Sequence, residues 1–134
     1  MDEIIRIQPD KERARSLVKQ AKIRYEAIKN FNEEKESFLM VEGYYEVAKE
    51  LITAILFIDG CKTLSHKSLL VYLESKFKDK FLRQDMELLN QLRILRNKIV
   101  YYGETIEPPY INRNKKHIFS IISKLFGICE GKLK

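Results

Sequence analysis

Side chains that can bind phosphate or an RNA chain cluster between positions 93 and 101. Arg93, Asn97 and Tyr101 are spaced four residues apart, and a second arginine, Arg96, immediately precedes Asn97. On an α-helix, residues three or four apart lie on the same side. Arginine forks match phosphate oxygens, while asparagine amides and tyrosine phenols orient ligands through hydrogen bonds. We therefore predict that these four residues bind the phosphate oxygens of a ligand or form hydrogen bonds to a neighbouring helix.

The elements that position these residues are predicted to be helices. Apolar residues recur at three- and four-residue spacing, and no alternation long enough for a strand is found. Short connections between long amphipathic helices favour antiparallel neighbours. We predict an all-α, up-down antiparallel bundle of about five helices with a four-helix core, forming one domain over residues 1–134 with its core at about 10–128. The predicted helices cover residues 10–32, 36–59, 66–78, 83–102 and 112–128.

The second predicted helix is apolar around more than half of its circumference, which indicates a central helix that touches several neighbours. Tyr44 and Tyr45 on it are expected in the core. Gly43 lowers its helix propensity, so a close approach of another helix is the expected reason for that glycine. Gly60 is expected to end the helix in a left-handed conformation.

The fourth predicted helix carries the phosphate-binding candidates beside an apolar stripe. The stripe steps by three or four residues, so it is expected to face the core. Its members are Leu88, Leu92, Leu95, Ile99 and Tyr102. Gly103 is expected to end this helix, and Pro108 and Pro109 are expected to place an extended or turned segment before the fifth. Asp10 and Ser65 are expected to start the first and third helices.

The fourth helix resembles the signature helix of HEPN domains. The run from Leu92 to Gly103 (LRILRNKIVYYG) contains the Arg–Asn pair of that signature, Arg96 and Asn97. The segments 43–49 (GYYEVAK), 59–60 (DG) and 65–67 (SHK) are also similar to second-helix and loop features of prokaryotic and archaeal HEPN proteins. The resemblance extends over residues 10 to 128.

The resemblance implies a helical bundle that dimerises around the Arg–Asn helix. Many HEPN domains are metal-independent ribonucleases, often toxins encoded beside a small nucleotidyltransferase of the MNT class, and some bind nucleotides or act only as partners. It therefore implies a homodimer that contacts RNA or a nucleotide at Arg93, Arg96, Asn97 and Tyr101, with an MNT-type nucleotidyltransferase as partner in a toxin–antitoxin-like system.

The sequence departs from the signature at its catalytic histidine. The family places a histidine four to six positions after the arginine, whereas Tyr101 and Tyr102 stand here. The leading hypothesis is therefore a binding module. One alternative is an active metal-independent endoribonuclease that uses Arg96 and Tyr101, although a phenol is a poor general base at neutral pH. Another is a dimeric interaction scaffold in which Arg96 and Asn97 only join helices.

The remaining residues limit the other functions to be considered. His66 is expected to be structural and His117 to be solvated at the start of the last helix. We predict neither a metal nor a cofactor, since no metal-ligand spacing is found. Cys61 and Cys129 are expected to be free thiols in a reducing cytoplasm, and no apolar run is long enough for a membrane span. The net charge of +6 either attracts phosphates or reflects only solvated helix faces.

Overall fold

A computed structural model describes residues 4–134 and contains five α-helices and two short strands. The predicted all-α helical bundle is confirmed, and the fourth helix has the predicted bounds. The elements are β1 (Ile4–Arg6), α1 (Lys11–Ile28), α2 (Ser37–Asp59), β2 (Cys61–Thr63), α3 (His66–Lys76), α4 (Arg83–Tyr102) and α5 (Pro108–Lys132).

Helix α2 is the centre of the bundle, as its apolar circumference predicts. It packs against each of the other four helices, and fourteen of its 23 residues are buried. Tyr44 and Tyr45 are among them, which confirms their place in the core. The helix α1 approaches α2 so closely at Gly43 that a Cβ atom there would lie 2.7 Å from Cδ1 of Ile28. The expected reason for this glycine is therefore confirmed.

The ends of the helices are formed by the residues that the sequence indicates. The carboxylate of Asp10 accepts a hydrogen bond from the Arg13 amide, and the Ser65 hydroxyl accepts one from the Ser68 amide. Gly60 ends α2 with φ 78° and Gly103 ends α4 with φ 68°, both left-handed. Glycine adopts this conformation without the steric cost that a Cβ atom imposes.

A two-stranded antiparallel sheet is the part of the fold that the sequence analysis missed. β1 pairs with β2 in the register Ile4–Thr63, Ile5–Lys62 and Arg6–Cys61. Each strand has three residues, which is too short for a hydrophobic alternation to be read. The sheet continues as backbone hydrogen bonds from the Ile7 amide to Gly60 and from the Asp10 amide to Phe57.

Two predictions about the end of α4 and the start of α5 are wrong. Tyr102 is 77% exposed, because it lies on the last turn of α4, beyond the packed part of the core stripe. The helix α5 begins at Pro108 rather than at residue 112. A proline in the first turn needs no hydrogen bond from its nitrogen and already has a helical φ angle, so the proline pair starts the helix instead of delaying it.

The predicted solvation of His117 is also wrong. His117 lies within α5, and its Nε2 is 2.6 Å from Oδ1 of Asp85, a buried residue of α4. The other oxygen of Asp85 accepts hydrogen bonds from Lys124 and from the Leu82 amide. Burial alone raises the pKa of Asp85, but these donors together hold it below its usual value. The group therefore joins α4 to α5.

Substituting alanine at two helical glycines is expected to change stability in opposite directions. Gly43→Ala places a methyl group against the buried Ile28 side chain, so we expect it to lower the free energy of unfolding by about 1–3 kcal/mol. At Gly127 in α5, a Cβ atom would meet nothing within 4 Å, so Gly127→Ala is expected to raise it by up to about 1 kcal/mol. Urea unfolding measures both, and an equal effect of the two substitutions would contradict the close approach at Gly43.

Candidate functional site

The two arginines of the predicted site lie on the side of α4 that faces α2. Nη2 of Arg96 is 3.6 Å from Oε2 of Glu46, and its Nη1 donates a hydrogen bond of 3.2 Å to the side chain of Asn97. The Arg96 side chain is only 18% exposed. Arg93 is half-buried one turn earlier, where Asn90 accepts hydrogen bonds of 3.1 and 3.0 Å from its Nε and Nη2. The structure thus brings Arg93, Arg96 and Asn97 together.

Tyr101 lies apart from the arginines. Tyr101 is 68% exposed, whereas Arg96 is turned toward α2. Five residues along a helix correspond to about 7.5 Å along the axis and a rotation of about 140°. Arg96 and Tyr101 of one protomer therefore face different directions, which is unfavourable to a mechanism in which both act on the same phosphate.

The hydroxyl of Tyr45 lies in the core beside the two arginines. Tyr45 is 1% exposed, and among residues 4–134 its oxygen is the one buried side-chain nitrogen or oxygen atom without a hydrogen-bond partner. Burial raises the pKa of this phenol to about 12, while Arg93 and Arg96 act in the opposite direction. A buried hydroxyl without a partner is costly, so it identifies a place where a polar ligand would gain a hydrogen bond.

His66 completes this group from the first turn of α3. Its ring packs against that of Tyr45, with 5.7 Å between the ring centroids. Burial lowers the pKa of the imidazole, and the positive charges of Lys49, Arg96 and Arg93 lower it further, against the opposing effect of Glu46. These effects favour the neutral form of the imidazole.

We call this group the Tyr45 cluster. It joins three helices that pack against one another, α2, α3 and α4. Within it, Glu46 pairs with Lys49 at 2.8 Å as well as with Arg96. The cluster consists of Tyr45, Glu46, Lys49, His66, Arg93 and Arg96.

Sequence analysis identified only the α4 part of the Tyr45 cluster. The segments 43–49 and 65–67 resemble second-helix and loop features of HEPN proteins, but the sequence does not predict that they lie beside the arginines. Glu46 and Lys49 are three residues apart, and Glu46 is the only acidic residue between Gly43 and Ala48. A charge on a helix that is apolar around most of its circumference needs a partner, and that signal points to a cationic neighbour such as Arg96.

The charges of the Tyr45 cluster suit an anion. Arg93, Arg96 and Lys49 carry three positive charges and Glu46 one negative charge, so the cluster has a net charge of about +2 when His66 is neutral. Guanidinium groups with a nearby hydroxyl and imidazole provide several hydrogen-bond donors for phosphate oxygens. Within residues 4–134, no group of three or more His, Cys, Asp or Glu residues is placed to hold a metal ion, and no helix could cross a membrane.

A groove of about 480 Å³ adjoins the cluster beyond His66 and Lys49. Lys62 of β2 and Ser65 supply polar groups to this groove, and much of its remaining lining is apolar. It is large enough for a small organic group, since ligand sites have volumes of about 300–1,000 Å³. A ligand bound at the arginines could thus extend into it.

No family model, curated protein or solved structure matches this chain.

Removing the hydroxyl of Tyr45 is expected not to destabilise the protein. Tyr45→Phe deletes an oxygen without a partner, so we expect the free energy of unfolding to be unchanged or raised by about 1 kcal/mol. Tyr72→Phe is the matched control, because the Tyr72 hydroxyl donates a 2.5 Å hydrogen bond to Asp59. Its loss is expected to cost about 1–3 kcal/mol. Urea unfolding of both variants tests this, and a clear destabilisation by Tyr45→Phe would show that its hydroxyl has a stabilising partner.

Proposed function

We propose that the chain is a dimeric module that binds RNA or nucleotide phosphates through the Tyr45 cluster. The observation that carries this proposal is the buried, unpartnered hydroxyl of Tyr45 on α2, the helix against which α4 packs with Arg96. Arg93 donates hydrogen bonds to a neutral side chain, that of Asn90, so a phosphate would meet a guanidinium whose charge Asn90 does not neutralise.

A second copy of the chain is the proposed occupant of the outer face of α4. Ile94 is 40% exposed and Tyr101 68% exposed on this face, and Arg83 and Glu87 lie on it one or more turns earlier. An antiparallel pairing of two such helices would place the apolar residues against one another and the charged ends at the rim.

The resemblance of α4 to the HEPN signature supports the further proposal of an MNT-type nucleotidyltransferase partner and a toxin–antitoxin-like system. That proposal is tested by pulling down a purified candidate enzyme with the protein, with a variant that lacks Arg93 and Arg96 as a control. The ribonuclease that uses Arg96 and Tyr101 ranks lower, because the two side chains of one protomer face different directions.

A scaffold without a ligand is the second candidate function. The observation that favours it is the contact of Arg96 with Glu46 and Asn97 inside one protomer, which joins α2 to α4. In this case Arg96→Ala loosens the structure or the dimer but changes the binding of no ligand.

Alanine at either arginine of the Tyr45 cluster is expected to weaken the binding of a single-stranded oligoribonucleotide by tenfold or more. Each substitution removes charge-assisted hydrogen bonds to phosphate, worth about 1.5–3 kcal/mol. Fluorescence anisotropy measures the affinity of Arg93→Ala and Arg96→Ala, and Arg83→Ala, with a 90% exposed side chain elsewhere on α4, is the control. If the wild-type protein binds neither RNA nor nucleotides, or if all three variants behave alike, the proposed site is wrong.

A charge on the outer face of α4 is expected to separate the dimer. Ile94→Asp would bury a carboxylate in the proposed interface, so we expect a monomer under conditions where the wild-type protein is a dimer. Ile23→Asp is the control, because Ile23 is 64% exposed on α1. Sedimentation velocity measures the oligomeric state of both variants. Interfaces of ordinary size bind in the micromolar range or better, so a wild-type protein that stays monomeric at about 100 μM rules out a stable dimer.

A further inference from the structure

The Tyr45 hydroxyl lies at a position where a ligand, rather than the protein, is its natural partner. It is buried in the core on α2, and the guanidinium groups of Arg93 and Arg96 lower the pKa of Tyr45 against the larger, opposite effect of burial. A guanidinium has only donors, so neither arginine can accept a hydrogen bond from the phenol. An acceptor held by the two arginines could accept that hydrogen bond.

We propose that the Tyr45 cluster binds a phosphate monoester, with Arg93, Arg96, Tyr45 and His66 as its ligands. This inference rests on the proposed function and names the chemical class that the site prefers. The terminal phosphate would receive hydrogen bonds from the two guanidinium groups, from the Tyr45 hydroxyl and from a ring N–H of His66.

The charge of the site favours a monoester over a diester. A phosphate monoester carries about −1.5 to −2 charges near pH 7, whereas a diester within an RNA chain carries −1. The net charge of the cluster is about +2 with His66 neutral, which matches a monoester. A monoester also has three terminal oxygens, so it can use the donors of four side chains that reach the site from three helices.

Glu46 is the internal competitor of the phosphate. Its carboxylate is 3.6 Å from Arg96 and 2.8 Å from Lys49, so it occupies part of the positive charge that a phosphate would use. Neutralising it leaves both cations available to the ligand. Glu46→Gln is therefore expected to strengthen binding, the opposite direction from every other substitution in the cluster.

Two sources can supply a terminal phosphate to this site, namely a free mononucleotide and the 5′ end of an RNA chain. The groove beyond His66 and Lys49 has room for the nucleoside part of either ligand. Both sources share the phosphate monoester chemistry, and comparing them in one experiment distinguishes them.

The test uses four probes with the full chain: AMP, adenosine, and one oligoribonucleotide of fixed sequence with either a 5′-phosphate or a 5′-hydroxyl. Isothermal titration calorimetry should show that AMP binds at least tenfold more tightly than adenosine if the source is a nucleotide. The 5′-phosphorylated RNA should bind at least tenfold more tightly than its 5′-hydroxyl counterpart if the source is an RNA end. Equal affinities within both pairs would overturn the proposal.

Substitutions in the Tyr45 cluster test whether the phosphate binds there. Tyr45→Phe and His66→Asn should each weaken the phosphate-dependent part of the affinity by about tenfold, while Glu46→Gln strengthens it. Tyr44→Phe is the matched control, because Tyr44 is also buried on α2 but its ionisation is influenced by Tyr25 and Glu33 instead of the arginines. If Tyr45→Phe and Tyr44→Phe have the same affinity as the wild-type protein, the Tyr45 hydroxyl is not a ligand and the assignment is wrong.

The two histidines give an independent readout by NMR. His66 faces Tyr45, Glu46 and Lys49 of α2 and Arg93 and Arg96 of α4. A bound dianion favours its protonated form, so saturation with AMP or the phosphorylated RNA should raise the pKa of His66, and affinity should rise between pH 7.5 and 6.5. The signal of His117 on α5, which pairs with Asp85 of α4, should not move. An unchanged His66 titration would remove His66 from the set of ligands.

The outcomes separate this inference from the function on which it rests. If Arg93→Ala and Arg96→Ala abolish RNA binding while the 5′-phosphate and Tyr45→Phe have no effect, the cluster binds diester phosphates and only the monoester assignment fails. If neither RNA nor AMP binds the wild-type protein, both the proposed function and the inference fail.

Discussion

The burial of α2 is the constraint on which the other elements depend. A helix that is apolar around most of its surface is stable in water only when neighbours cover it, and here α1, α3, α4 and α5 all do so. The few polar groups of α2 consequently lie under other helices rather than in solvent. The carboxylates of Glu46, Glu50 and Asp59 find partners on neighbouring helices, because a buried charge without a partner is expensive.

Long-range ion pairs follow directly from this arrangement. The carboxylate of Glu50 is paired with Arg24 of α1 at 3.1 Å, and that of Glu46 with Arg96 of α4. At the end of α2, Asp59 accepts hydrogen bonds from Tyr72 of α3 and Lys132 of α5. These contacts fix how the neighbours sit on α2. The Tyr45 cluster differs from them because its positive charges outnumber its negative ones, and this imbalance gives it the capacity to bind an anion.

The sequence predicts the helices well because their signals are local. Apolar spacing, the caps at Asp10 and Ser65, and the glycines that end α2 and α4 each act within one or two turns. The strands β1 and β2 escape prediction because their pairing joins residues nearly sixty positions apart and contains too few residues to form a pattern. The prediction for His117 is wrong for the same reason, because its partner Asp85 lies on another helix.

The candidate site is predictable only in the part that lies on one helix. Arg93, Arg96 and Asn97 share a face of α4 by their spacing alone, and the structure brings them together. The contributions of Tyr45 and His66 depend on how α2 and α3 pack against α4, and no local pattern encodes that packing. For Tyr101, the four-residue spacing correctly predicts a position one turn after Asn97. The spacing does not predict exposure, and the packing of α4 leaves Tyr101 in solvent.

The pairing of β1 with β2 also closes a loop of the chain around α1 and α2. Residues 7–60 are held at both ends by the hydrogen bonds between Ile7 and Gly60 and along the two strands. The entropic cost of closing a loop grows only slowly with its length. Here the packing of α1 and α2 within the loop compensates for that cost. Both strands are only three residues long and every residue of β1 is exposed, so we expect their backbone hydrogen bonds to be among the first to break when the molecule opens locally.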